Sequence, residues 1–131
     1  MVRAVDEFRL RLPSGRESSL TDVMRFCYDL SDTDTQILVE VIKGGVEGFT
    51  VEEVAERLKL SKATANRSLN KLVELGFILR RREKRQGVGR PRYKYYVDDP
   101  RKVVEKIKQD LRDCSAMYIE RLDMFLKKVS K

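Results

Sequence analysis

A mainly helical fold with one small β-hairpin, an α+β arrangement ending in a long helix, is predicted for this chain by three observations. Apolar residues recur at helical spacing in five separate stretches. Ser or Thr stands immediately ahead of four of them, where the free backbone N–H groups of a helix start need an acceptor. A single pair of β-rich runs, Phe77-Ile78-Leu79 and Tyr93-Lys94-Tyr95-Tyr96-Val97, brackets a basic segment containing two glycines.

The elements follow in order. Phe8, Leu10 and Leu12 alternate before Pro13-Ser14-Gly15, so residues 1–18 read as a short strand or an arm. Ser19 caps a helix to about Leu30, with Leu20, Val23, Met24 and Cys27 on one stripe. Ser31 with Asp34 resembles a capping box in which Asp replaces Glu, opening a helix to Ile42 that Gly44-Gly45 stops. Its apolar face is Ile37, Leu38, Val41 and Ile42. Thr50 with Glu53 is a full capping box for a short helix buried through Val51, Val54, Ala55 and Leu58. After a tight turn, Ser61 caps a helix to Leu75 with Ala65, Leu69, Leu72 and Val73 inward and Gly76 at its left-handed end. The two strands follow, and Asp98-Asp99-Pro100 starts a last helix of about 28 residues. Two short helices joined by a tight turn, then a hairpin with a basic loop, make a winged helix-turn-helix. The expected division is an arm at 1–18, a winged domain at 19–99 and a C-terminal helix at 100–131.

Composition narrows the possible functions. The 131 residues suffice for one domain, or a small domain plus an attached helix. With 37% charged and 41% hydrophobic residues, the chain is too apolar for disorder and too charged for a membrane protein. Its best apolar run, Ile37 to Ile42, is interrupted by Glu40, and Asp6 and Glu7 stand where a signal peptide would be apolar. A cytoplasmic, nucleoid-associated place is the expectation, with no membrane partner. Two cysteines and no histidine leave no metal cluster and no Ser-His or Cys-His pair, so neither catalytic residues nor cofactor nor metal is expected. Two Asn and three Gln beside abundant Lys, Arg and Glu give a thermophile-like composition.

Charge is concentrated. The net charge of +7 conceals a segment, 57–94, with thirteen Lys/Arg against Glu74 and Glu83, whereas residues 1–56 are net acidic. A surface for a polyanion has this form. On the helix 61–75 the outward residues suit the edges of base pairs in a DNA major groove. Arg67 can bridge guanine, Asn66 and Asn70 can pair with adenine, and Ala63 can touch a thymine methyl, with Lys62 and Lys71 beside them. Ser61 and Thr64 lie at the helix N-terminus, which favours a phosphate. The segment 80–94 adds eight cations in fifteen residues, among them Arg80, Arg82, Lys84, Arg85, Arg90 and Arg92. Such a wing would rest on phosphates or enter a narrow minor groove.

The run from EEVAERLKLSKATANRSLNKLVELGFI (52–78) to GRPRYKYY (89–96) resembles the winged-helix domains of archaeal transcriptional regulators in the wider MarR, ArsR and sugar-regulator (TrmB-type) superfamily. The resemblance implies a homodimeric, non-enzymatic regulator. Neither the sugar sensing of the full-length sugar regulators, which a long C-terminal domain carries, nor a metal-ligand cluster of the ArsR kind is expected.

The last helix carries a seam of Val104, Ile107, Leu111, Cys114, Tyr118, Leu122, Phe125 and Val129 at steps of three and four. It is expected to pack on a second copy, or else to fold back on the first helix. Cys27 and Cys114 read as buried small hydrophobes, with a redox role as the alternative. The expected function is sequence-specific binding of double-stranded DNA by a homodimeric regulator whose effector is unknown. The alternatives are an architectural chromatin protein held by charge alone and an interaction module of the transcription machinery.

Overall fold

The computed structural model describes residues 8–83 and 92–130. Nine elements follow one another: β1 (Leu10–Arg11), β2 (Glu17–Ser18), α1 (Leu20–Tyr28), α2 (Asp32–Gly44), α3 (Val51–Leu58), α4 (Lys62–Glu74), β3 (Leu79–Glu83), β4 (Arg92–Tyr96) and α5 (Pro100–Val129). The mainly helical fold with one basic hairpin is as the sequence predicts.

Local chemistry sets the boundaries. Ser31 and Asp34 cap α2 reciprocally, each backbone N–H donating to the other's side chain at 3.0 and 3.1 Å. Thr50 and Glu53 do the same for α3 at 2.9 and 3.2 Å. Ser19 starts α1, its N–H donating to Asp22 at 3.0 Å. The helix ends at Tyr28, two residues earlier than expected, because Asp29 takes the left-handed conformation and turns Leu30 into the core. Asp99 caps α5 through the Arg101 N–H, and Pro100 occupies the first turn, where no backbone donor is lost.

The N-terminal segment is a two-rung hairpin closed by the turn at 13–15, and its return strand, Glu17–Ser18, was not foreseen. The basic segment also differs from a simple loop. Leu79–Glu83 and Arg92–Tyr96 are paired antiparallel from Leu79↔Tyr96 to Glu83↔Arg92, so Arg80, Arg82 and Arg92 lie on strands. A further rung joins this hairpin to the loop before α3, where Phe49 and Tyr95 exchange both backbone hydrogen bonds at 2.9 and 2.8 Å. Gly48 makes the approach possible. Its φ is +75°, and a Cβ there would stand 2.6 Å from the Tyr95 carbonyl oxygen.

One core joins these elements. Met24, Ile37, Leu38, Val41, Val54, Leu69, Leu72, Ile78 and Tyr95 are buried together, and Val103 brings the first turn of α5 onto them. Among the described residues no helix is long and apolar enough to cross a membrane.

Candidate nucleic-acid interface

Helix α4 is held by one face and presents the other. Ala65, Ser68, Leu69 and Leu72 are buried, so Lys62, Ala63, Asn66 and Arg67 are left exposed, with Thr64 and Asn70 half-buried. Ser61 accepts from the Thr64 N–H at 3.1 Å and donates to the Thr64 hydroxyl at 3.0 Å, which caps the helix. Both small hydroxyls are thus engaged at the helix start.

A buried carboxylate fixes the position of this helix. Asp34 already caps α2, and its other oxygen accepts from the Ser68 hydroxyl of α4. The Lys71 ammonium, half-exposed, completes the set at 3.2 Å. Burial works against ionisation of Asp34, but the hydrogen bonds from Ser68, the Ser31 N–H and Lys71 outweigh it and hold the carboxyl below its ordinary range. The network favours the folded state above the ordinary carboxylate pKa and is lost as the pH falls through the lower, folded value. Arg67, Thr64 and Lys71 line one side of a cleft of about 330 Å³, which Ser31, Thr33 and Asp34 close on the α2 side.

The wing is fastened to α4 and to the rest of the domain by other side chains. Asn70 Oδ1 accepts from Arg80 at 3.4 Å and from the Tyr95 hydroxyl at 3.3 Å, so this residue joins helix to hairpin. The Arg80 guanidinium lies 4.7 Å over the Tyr93 ring. Arg81, absent from the expected contact residues, turns inward. Its two terminal nitrogens donate to the carbonyls of Val46 and Glu47 at 2.8 and 2.7 Å, and it lies over Tyr96. Arg82 and Arg92 are exposed; Lys84, Arg85 and Arg90 lie outside the described residues.

The concentrated positive charge is therefore not all available to a ligand. Arg57 is paired with Glu40 and stacked on Phe49, Lys71 with Asp34, and Lys94 more loosely with Glu83 at 3.9 Å. Sequence reasoning counted these with the rest because an ion pair between distant residues leaves no local pattern. What stays exposed around α4 and the wing is Lys62, Arg67, Arg80, Arg82 and Arg92, with Asn66 among them.

The expected interface seam on α5 divides. Ile107 packs against the protein's own core, Leu111 and Cys114 are half-buried, and Tyr118 stacks on Phe26 of α1 at 5.2 Å. Val104, by contrast, is exposed. Beyond Cys114, Met117, Ile119, Leu122, Phe125, Leu126 and Val129 are each about 60% exposed. Sequence reasoning missed Tyr28 and Asp110, whose 2.5 Å hydrogen bond ties α1 to α5.

With the fold in place, the likenesses become informative. Residues 28–90 match the sequence pattern of the MarR family. A structure described as the ST1889 protein from the thermoacidophilic archaeon Sulfolobus tokodaii is 33% identical, over 79% of this chain and 90% of that one, with a TM-score of 0.61. A second, described as a possible transcriptional regulator from Methanosarcina mazei Go1, is 20% identical over 94% of this chain and 98% of that one, with a TM-score of 0.73. The latter shares the fold. No curated protein matches the chain. The fold is a winged helix-turn-helix. Over residues 28–90, just under half of its length, the chain is similar to the MarR family.

Proposed function

We propose that the protein is a DNA-binding transcriptional regulator that acts as a homodimer on double-stranded sites. The carrying observation is one exposed helix face, with Lys62, Ala63, Asn66 and Arg67, beside a hairpin whose Arg80, Arg82 and Arg92 remain exposed while other nearby cations are internally paired. In this reading the winged domain, residues 19–99, lays α4 in the major groove. Asn66 and Arg67 read base edges, Ala63 allows close approach, and Lys62 with the wing arginines meets phosphates. Asn70 serves chiefly as the joint between helix and wing, and Lys71 as part of the Asp34 network. The region from residue 100 onward joins two copies through the apolar half of α5, which a lone chain would leave in water. The match of residues 28–90 to the MarR family supports the regulator reading.

The test is competition of a labelled cognate duplex, selected from random sequence, against unselected duplex over a range of salt. Affinity for any duplex is expected to fall steeply with salt, by a logarithmic slope of about 0.9 per phosphate neutralised. Arg67→Ala is expected to lose roughly 1–3 kcal/mol on the selected site and much less on random DNA. Salt-independent binding would remove the polyanion reading. Equal loss on both duplexes would remove Arg67 from the base-reading set.

A further inference from the structure

The packing of α1 on α5 has a defined register. Tyr28 donates its hydroxyl to Asp110 at 2.5 Å, and Phe26 stacks on Tyr118 with ring centroids 5.2 Å apart. Between those two contacts α1 has one residue, Cys27. On α5, Asp110 and Tyr118 lie two helical turns apart, and the residue one turn from each is Cys114. Flanked by contacts on both sides, the two cysteines face one another. Each is the other's electrostatic neighbour, both are free thiols, and both are only half-buried.

We propose that Cys27 and Cys114 form an intrachain disulfide, stapling α1 to α5, when the protein meets a low-molecular-weight disulfide. One cysteine, as its thiolate, attacks the small disulfide, and its sulfur bonds to one half while the other half leaves as a thiolate that takes up a proton. The second cysteine then attacks the protein sulfur of this mixed disulfide. The Cys27–Cys114 bond forms, and the remaining half leaves as a second small thiol. Two protein thiols are oxidised and one small disulfide is reduced to two thiols, with nothing else consumed.

The placement says what such a bond does. The register of the two flanking contacts sets the thiols opposite one another, on helices that already pack together. The closed loop of chain contains α2, α3, α4 and both strands of the wing, so the bond restricts the unfolded chain far more than the folded one. Its effect falls on stability, with the exposed face of α4 unchanged. Burial, then the neighbouring Cys114 thiol and the Asp110 carboxylate, push the Cys27 thiol up to about 12. Its thiolate is scarce at neutral pH and exchange is slow, which suits a lasting staple better than a rapid signal.

The experiment exposes the full chain to oxidised glutathione and follows intact mass, non-reducing electrophoresis, thermal unfolding and duplex binding. The expected product is a single chain lighter by two hydrogens, faster-migrating, with a midpoint raised by roughly 10 °C and restored by dithiothreitol. Its affinity for duplex DNA is unchanged. Cys27→Ala and Cys114→Ser each abolish the mass loss and the rise in midpoint. A lasting glutathione adduct, a bond between two chains, or two thiols still free after prolonged exposure overturns the proposal. Loss of duplex affinity on oxidation overturns the staple in favour of a switch. The mass and unfolding readouts need no DNA, so they stand or fall separately from the regulator reading.

Discussion

The two halves of α5 share one helix and one apolar spacing, yet they meet different surroundings. In the first half Val103 is buried, Ile107 packs on the core, and Asp110 receives the Tyr28 hydroxyl. In the second half Leu122, Phe125, Leu126 and Val129 meet only solvent in the single chain. The apolar stripe there includes Ile119 and Leu126 as well as the 118-122-125-129 seam. It is wider than the two positions per heptad of a simple two-stranded coil, and suits packing against more than one helix. The difference teaches that helical periodicity identifies which face is apolar but not what covers it.

The sharpest break of this contrast is to place charge in each half. Leu122→Glu with Phe125→Glu is expected to give a stably folded monomer whose affinity for a two-fold site drops at least about a hundredfold, as binding by a single half-site is weak. Sedimentation velocity and a duplex titration read the two effects. Ile107→Glu is expected to unfold the domain instead, costing on the order of 3 kcal/mol or more for a charge set against the core. If the double variant unfolds while Ile107→Glu remains folded, the division of α5 is wrong.

Smaller changes sharpen the comparison. Val103→Ala removes two buried methyl groups and is expected to cost about 2 kcal/mol in urea unfolding, with no change in assembly state. Tyr28→Phe is expected to cost about 1 kcal/mol at neutral pH. The hydrogen bond from Tyr28, followed by the Lys106 ammonium, holds Asp110 below its ordinary range against the cost of burial. Its stabilising effect is therefore present above the ordinary carboxylate pKa and fades as pH falls through the folded value. The gap between Tyr28→Phe and the unaltered protein should narrow in acid; a gap that widens would contradict the assignment.

A parallel division runs through the basic residues. Arg82→Ala is expected to weaken binding to every duplex a few-fold and lower the salt slope by about one. Lys71→Ala is expected to lower stability instead, by less than about 1 kcal/mol given its exposure, through the Asp34 network. Urea unfolding beside a duplex titration distinguishes the two, and equal effects on binding would return Lys71 to the DNA-facing set.

Much of this architecture was legible because its determinants are local. Ser31 with Asp34, and Thr50 with Glu53, specify helix starts across three residues, and Gly76 marks a helix end through its own φ of +84°. The exposed face of α4 followed from the period of Ala65, Leu69 and Leu72. What could not be read depends on residues brought together only by folding. The Ser68 and Lys71 bonds to Asp34 join residues 34 and 37 positions apart, the Arg81 bonds 34 and 35, and the Tyr28 bond to Asp110 82. No spacing rule covers such pairs. Hence Arg81 looked like one more cation of the wing, and Asp34 like a cap alone.

The geometry of α5 has a mechanical consequence. From Val103 to Tyr118 the helix is seated against its own domain, a bearing of about 22 Å, and the free part from there to Val129 overhangs by about 16 Å. A cantilever whose bearing exceeds its overhang has little play at its tip, since a displacement at the seat is not magnified along the free length. The apolar end is thus presented at a nearly fixed angle before it meets anything. In the proposed dimer, association would then have little orientational disorder left to remove, so rigidity at the seat would favour tight assembly at the tip without adding a single contact there.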